Sequence, residues 1–161
     1  MHMTSKTTEE VMTLVENGIL LYQAGNYQGA IDMYIQALKI DPENPDIFRR
    51  IGFASIKNCS YEGAIGIYDK LLSLYPRDFE AINNKGIALE RLGYFQEAVN
   101  TYDEALKIDS ENIVTLNNKG HVLLVMCKYG EMVDVCTKVL QIDRHNEVAL
   151  HNLSVAFPYI S

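Results

Sequence analysis

The sequence predicts an all-α protein built as a stack of antiparallel helix pairs. Three observations predict it. The chain of 161 residues repeats every 34 positions: "NNKG" stands at 83–86 and again at 117–120, while "LKID" at 38–41 and 106–109 is matched by "LQID" at 140–143. Apolar residues recur at helical spacing within each period, as in Ile82, Leu89 and Leu92, then Val99, Tyr102, Leu106 and Ile108. No row alternates polar and apolar residues as a half-buried strand would.

Rows of 34 starting at Val11, Pro45, Phe79 and Ile113 align without an insertion. Residues 1–10, "MHMTSKTTEE", are expected to be a flexible segment or tag remnant, with Thr7-x-x-Glu10 as a capping box for the first helix. The repeats are then residues 11–44, 45–78, 79–112 and 113–146, and 147–157 form a partial fifth repeat or capping helix. In each row the eighth place is glycine (Gly18, Gly52, Gly86, Gly120) and the twentieth is Ala30, Ala64, Ala98, then Met132. Small residues there let two helix backbones approach. The twenty-fourth place, Tyr34, Tyr68, Tyr102 and then Cys136, is expected to fill the gap between neighbouring hairpins. "AGNY" (24–27) and "LGYF" (92–95) break a row into two helices at a glycine turn. Proline in "DPENP" (41–45) and "YPRD" (75–78) is expected to end the second helix. The fourth row drifts furthest, with Cys127 at the turn glycine, Met132 and Val139 at the alanines and Arg144 at the proline.

Hydrophobic residues make up 48% and charged ones 22%, which argues against global disorder. A formal charge of −7 argues against non-specific binding to nucleic acid or anionic lipid. No apolar run is long enough to span a membrane, and the first ten residues lack a signal-peptide core. Cys59, Cys127 and Cys136 form no C-x-x-C pair and do not suggest a disulfide framework, so a reducing cytoplasm is expected.

This joint pattern of glycine, alanine, tyrosine and proline resembles the tetratricopeptide repeat (TPR) family over residues 11–146, plus the partial fifth. The family tryptophan at the fourth place is Leu14, Phe48, Ile82 and Leu116 here. The resemblance implies a right-handed α-solenoid, a TPR superhelix, whose first helices line a concave binding surface. It also implies that the second, fifth, sixth, ninth, twelfth and thirteenth places face that groove. In the second repeat these include Arg49, Arg50, Phe53 and Lys57, a basic patch with an aromatic between, suited to a carboxylate or phosphate. The third brings Asn83, Asn84, Ile87 and Arg91; the fourth Asn117, Asn118, His121, Leu124 and Val125; and the fifth adds Asn152. Asn84, Asn118 and Asn152 resemble the asparagine ladder in the TPR superhelix of O-linked N-acetylglucosamine transferases, where an amide can grip peptide backbone. Some chaperone-binding TPR domains clamp a carboxylate with lysine and asparagine at the fifth and ninth places of their first repeat. Val15 and Ile19 stand there in this chain, so that clamp is missing. The competing reading is that these polar side chains are solvated or form local salt bridges. Lys85 and Lys119 are expected to lay their stems on the surface with the ammonium outward.

No catalytic site, metal site or cofactor is expected. His121, Cys127 and Cys136 share one repeat but lack a fourth ligand of suitable spacing, and no glycine-rich phosphate loop occurs. The expected function is a non-catalytic module that binds an extended or helical peptide segment, one bearing an acidic group. The alternative is a scaffold that self-associates through its repeat ends, since "EVALHNLSVAF" (147–157) carries more apolar side chains than one neighbour covers.

Overall fold

The computed structural model describes residues 5–159, and among them every regular element is a helix. In order these are α1 (Ser5–Gln23), α2 (Tyr27–Ile40), α3 (Pro45–Lys57), α4 (Tyr61–Leu74), α5 (Phe79–Arg91), α6 (Phe95–Ile108), α7 (Ile113–Val125), α8 (Tyr129–Ile142) and α9 (Glu147–Ala156). A 3₁₀ turn, Phe157–Tyr159, follows α9. The chain divides into two compact units, 1–84 and 85–161, with the division inside α5. None of the described helices is long and apolar enough to cross a membrane.

Helices α3, α5, α7 and α9 all begin after a capping side chain at the last place of the preceding row. Asn44 accepts from the Asp46 and Ile47 amides, Asp78 from Ala81, Asn112 from Thr115 and Asn146 from Ala149. Each cap satisfies backbone donors that the first turn leaves unpaired. α1 has no such stop before Val11 and is already helical at Ser5. Thr7 therefore lies within the helix, so the expected capping box is not at its start, and residues 5–10 are helical rather than loose. Residues 1–4 of that segment lie outside the described residues.

Proline is not what ends the second helices. α6 and α8 stop at Ile108 and Ile142, at the same repeat place as α2 at Ile40, although no proline follows them. The device shared by α2, α6 and α8 is an aspartate three residues before the asparagine cap, a place that Tyr75 holds after α4. Asn44, Asn112 and Asn146 donate to Asp41, Asp109 and Asp143 at 2.7, 3.1 and 3.3 Å. The turn inside each hairpin needs a left-handed residue, and the fifteenth place supplies it: Gly25 (φ +78°), Cys59 (+57°), Gly93 (+80°) and Cys127 (+56°). Cys59 thus joins Cys127 as a cysteine standing where glycine is preferred.

The conserved-looking glycine of each row has a packing cause. The tyrosine ring of the same hairpin lies directly on it, rather than between hairpins. A Cβ added at Gly18 would sit 2.3 Å from Tyr34, at Gly52 2.4 Å from Tyr68 and at Gly86 2.5 Å from Tyr102. All three rings are buried, at 2%, 0% and 0% exposure. In the first unit Tyr34 joins Val11, Ala30, Ile31, Ala37, Ile47, Ile51 and Ala54 in one core.

The fourth hairpin fills its core by another route. Cys136 replaces the ring, and Met132 replaces the alanine one turn earlier; both are buried, with Cys136 Sγ 3.4 Å from Met132 Sδ. Volume lost at one place is partly returned at the other, an exchange of the kind cores tolerate best, while Asn152 and Val135 close over Gly120. Gly120 is left with ordinary contacts only, the nearest being Asn152 Nδ2 at 3.6 Å from an added Cβ.

Candidate functional site

In the first unit α3 carries the basic patch, and its arginines have different employment. The half-buried Arg49 donates from Nε and Nη2 to Asp78 Oδ2 at 3.0 and 2.6 Å, and also pairs with Asp46 and Glu80. The hydrogen bond to Asp78 raises its pKa, so the guanidinium stays charged and engaged. Arg50 is exposed, and its contact with Tyr34 lowers a phenol pKa that burial has raised. Phe53 is 43% exposed, stacked on Tyr22 at 5.8 Å between centroids, with Lys57 Nζ over the ring at 5.4 Å. Arg50 borders two open depressions. One, of about 400 Å³, is lined by Phe53, Phe79, Glu80, Asn83 and Asn84; the other, of about 300 Å³, by Val11, Met12, Val15 and Ile47.

The asparagines behave unequally. Asn83 is buried at 9% exposure. Asn84 is half-buried beside Tyr68, whose buried hydroxyl has no hydrogen bond of ordinary geometry. Burial pushes that phenol well above its usual range, and the weak interaction with Asn84 opposes the shift.

In the second unit "NNKG" (117–120) is largely a stitch between repeats. Asn117 Nδ2 donates forward to Asn146 Oδ1 at 3.2 Å, while Lys119 Nζ reaches back to Asp103 Oδ1 at 2.6 Å. Lys119 is therefore paired, not a loose cation at the rim. Asn118 is half-buried. Asn152 is 3% exposed, with Nδ2 unpartnered and Cys136 beside it, so it occupies space the missing tyrosine ring would fill and does not face solvent. His121 is exposed and its Nδ1 lies 3.0 Å from Glu90 Oε1; Glu90 Oε2 also accepts the Tyr102 hydroxyl at 3.0 Å. Ile87 and Leu124 are half-buried, and Arg91 and Val125 are exposed.

Comparison with known families matches the description "Tetratricopeptide repeat" to residues 79–112, the third row in full, and "TPR repeat" to residues 18–58. The first of these spans contains the Gly86–Tyr102 contact, the second Gly18–Tyr34. The chain belongs to the tetratricopeptide repeat family. This TPR chain matches no curated protein sequence. It is similar in fold to a solved structure of MamA, at 21% identity, 88% and 82% coverage of the two chains and a TM-score of 0.82. It is also similar to YrrB, described as a TPR protein with an unusual peptide-binding site, at 21% identity, 91% and 76% coverage and a TM-score of 0.79. A third match is the first TPR of Spaghetti (RPAP3) bound to the HSP90 peptide SRMEEVD, at 22% identity, 74% and 94% coverage and a TM-score of 0.69.

Among the described residues of the TPR chain, no group of three His, Cys, Asp or Glu side chains is arranged to hold a metal. Cys127 is exposed in its turn and Cys136 is buried, where desolvation raises its thiol pKa. In the apolar depression Met12 and Val15 hold the expected groove-facing second and fifth places of the first TPR row, whereas Val11 and Ile47 lay outside the expected surface.

Proposed function

We propose that this TPR protein is a non-catalytic interaction module that holds an extended or helical segment of a partner protein against its first helices. The observation that supports it most is the exposed Arg50 between two depressions, one beside exposed Phe53 and Lys57 and the other apolar. A solvated arginine next to uncovered aromatic and aliphatic surface offers both charge and apolar area to a peptide. In the second unit the corresponding candidates are Ile87, Arg91, Asn118, His121, Leu124 and Val125. We assign Arg49, Asn83, Asn117 and Asn152 a supporting place behind these faces, on the grounds of their burial or internal partners. The same proposal places the protein in a reducing cytoplasm, where exposed Cys59 and Cys127 stay as thiols.

Selection from a random displayed peptide library tests the reading, with bound peptides mapped by backbone amide shifts. Ligands should perturb α3 and the start of α5 and should be lost with Arg50→Glu. Peptides that map only to second helices would overturn it. A second reading, self-association through the C-terminal end, is favoured by Val148, Leu150, Val155 and Phe157, exposed at 47%, 47%, 41% and 75%. Light scattering over a concentration series decides it, because a monomer at high concentration removes that reading.

A further inference from the structure

Resting on the module reading for the first unit, we infer that its ligand is a linear segment with a single acidic residue about three positions from one large apolar residue. Three observations lead there. Arg50 is the exposed cation shared by both depressions, whereas Arg49 is held by Asp46, Asp78 and Glu80. Lys57 lies over the Phe53 ring and adds a second positive group close to that aromatic. A carboxylate therefore fits the Arg50 side of Phe53, where it forms a charge-assisted pair.

The apolar depression next to it has aliphatic walls, with Met12 57% exposed. It lies between α1 and α3, while the other lies between α3 and the start of α5. The two depressions therefore flank α3, and a helix with its side chains is about 10–12 Å across. An extended chain advances about 3.3 Å per residue, so the two groups belong about three residues apart.

Charge sets the number of acids. Glu16 and Asp46 line the apolar depression and Glu80 lines the other. A run of acidic residues would bring like charges against these carboxylates, which disfavours an acidic tail and admits one carboxylate only.

The test uses the full chain and fluorescent peptides of Gly/Ser background carrying one Leu and one Glu, at separations from one to about six and in both orders. Binding should be tightest at a separation of about three. It should weaken about tenfold on Glu→Gln in the peptide or Arg50→Glu in the protein, and Arg50→Lys should restore most of it. Met12→Asp should abolish the preference for Leu yet leave the dependence on Glu. Thermal melts of each variant establish that it is folded. Indifference to separation, or tightest binding by a four-glutamate control, overturns the inference. If library-selected peptides map to α3 but lack the pair, this inference fails while the module reading stands. If nothing binds there, both fail.

Discussion

Arg49 of α3 and Asp78, the residue that caps α5, form one joint: the guanidinium donates twice to Asp78 Oδ2 while Asp78 Oδ1 accepts the Ala81 amide. The Asp78 side chain is 4% exposed and that of Arg49 30%. Removing Asp78 loses a cap and both guanidinium bonds to it, leaving Arg49 only its more exposed partners Asp46 and Glu80, so Asp78→Ala should destabilise by about 2–3 kcal/mol. Arg49→Ala should cost about 1–3 kcal/mol, and Arg50→Ala less than about 0.5 kcal/mol, as usual for exposed sites. Urea denaturation of the three variants checks the ranking. Equal losses at Arg49 and Arg50 would deny Arg49 its structural place.

The glycine contacts predict unequal alanine scanning. Gly86→Ala drives a methyl into the Tyr102 ring and should cost at least about 2 kcal/mol, in the range for overpacked cores. Gly120→Ala meets nothing nearer than 3.6 Å. It should be neutral or stabilising, because alanine is favoured over glycine in a helix by about 1 kcal/mol. Melting temperatures that fall equally would refute the ring-on-glycine account.

Cys59 and Cys127 hold left-handed backbone at the hairpin turns. A side chain there costs about 1–2 kcal/mol, and glycine loses about 0.4–1 kcal/mol through the unfolded chain. Cys59→Gly and Cys127→Gly should each raise the denaturation midpoint modestly, and Cys127→Val should lower it. A lower midpoint for both glycine variants would contradict the turn argument.

Alkaline stability follows from the buried phenols. Burial raises the pKa of Tyr102 first, and the neighbouring Glu90 carboxylate adds to it; Tyr68 is raised by burial too. Above about pH 10, where an ordinary phenol ionises, the unfolded chain releases protons that the folded protein retains. Unfolding is then favoured as pH rises, and the stability these tyrosines contribute is complete only below that point. Denaturant midpoints should fall between about pH 10 and 12, and Tyr102→Phe should flatten the fall. An unchanged slope would exclude Tyr102 as a source.

The repeats were legible because glycine, alanine and tyrosine return at fixed places and their packing is local to each hairpin. The employment of groove-facing polar residues was not, since it depends on partners 29 residues away. Arg49 reaches Asp78 and Asn117 reaches Asn146 at that same separation. A fifth-place donor read together with the next row's cap would have revealed it. Asn152 was misplaced for a related reason, because its burial follows from the missing ring at Cys136.

The exchange of Tyr and Ala for Cys136 and Met132 has a consequence for how such a sequence drifts. Each change alone is costly: a methionine would overpack a place whose counterparts Ala30, Ala64 and Ala98 are fully buried, and the cysteine beside an alanine would leave a void. Lost aromatic volume in a core costs roughly 3–5 kcal/mol, a large share of a small domain's stability. The two substitutions are therefore epistatic, neutral as a pair and damaging singly. A lineage crossing from one packing to the other needs a reserve of stability elsewhere, or an intermediate such as leucine at one site. Replacing Cys136 with the family tyrosine would not repair the fourth hairpin unless positions 132 and 152 changed with it, since Asn152 also occupies the space of the ring.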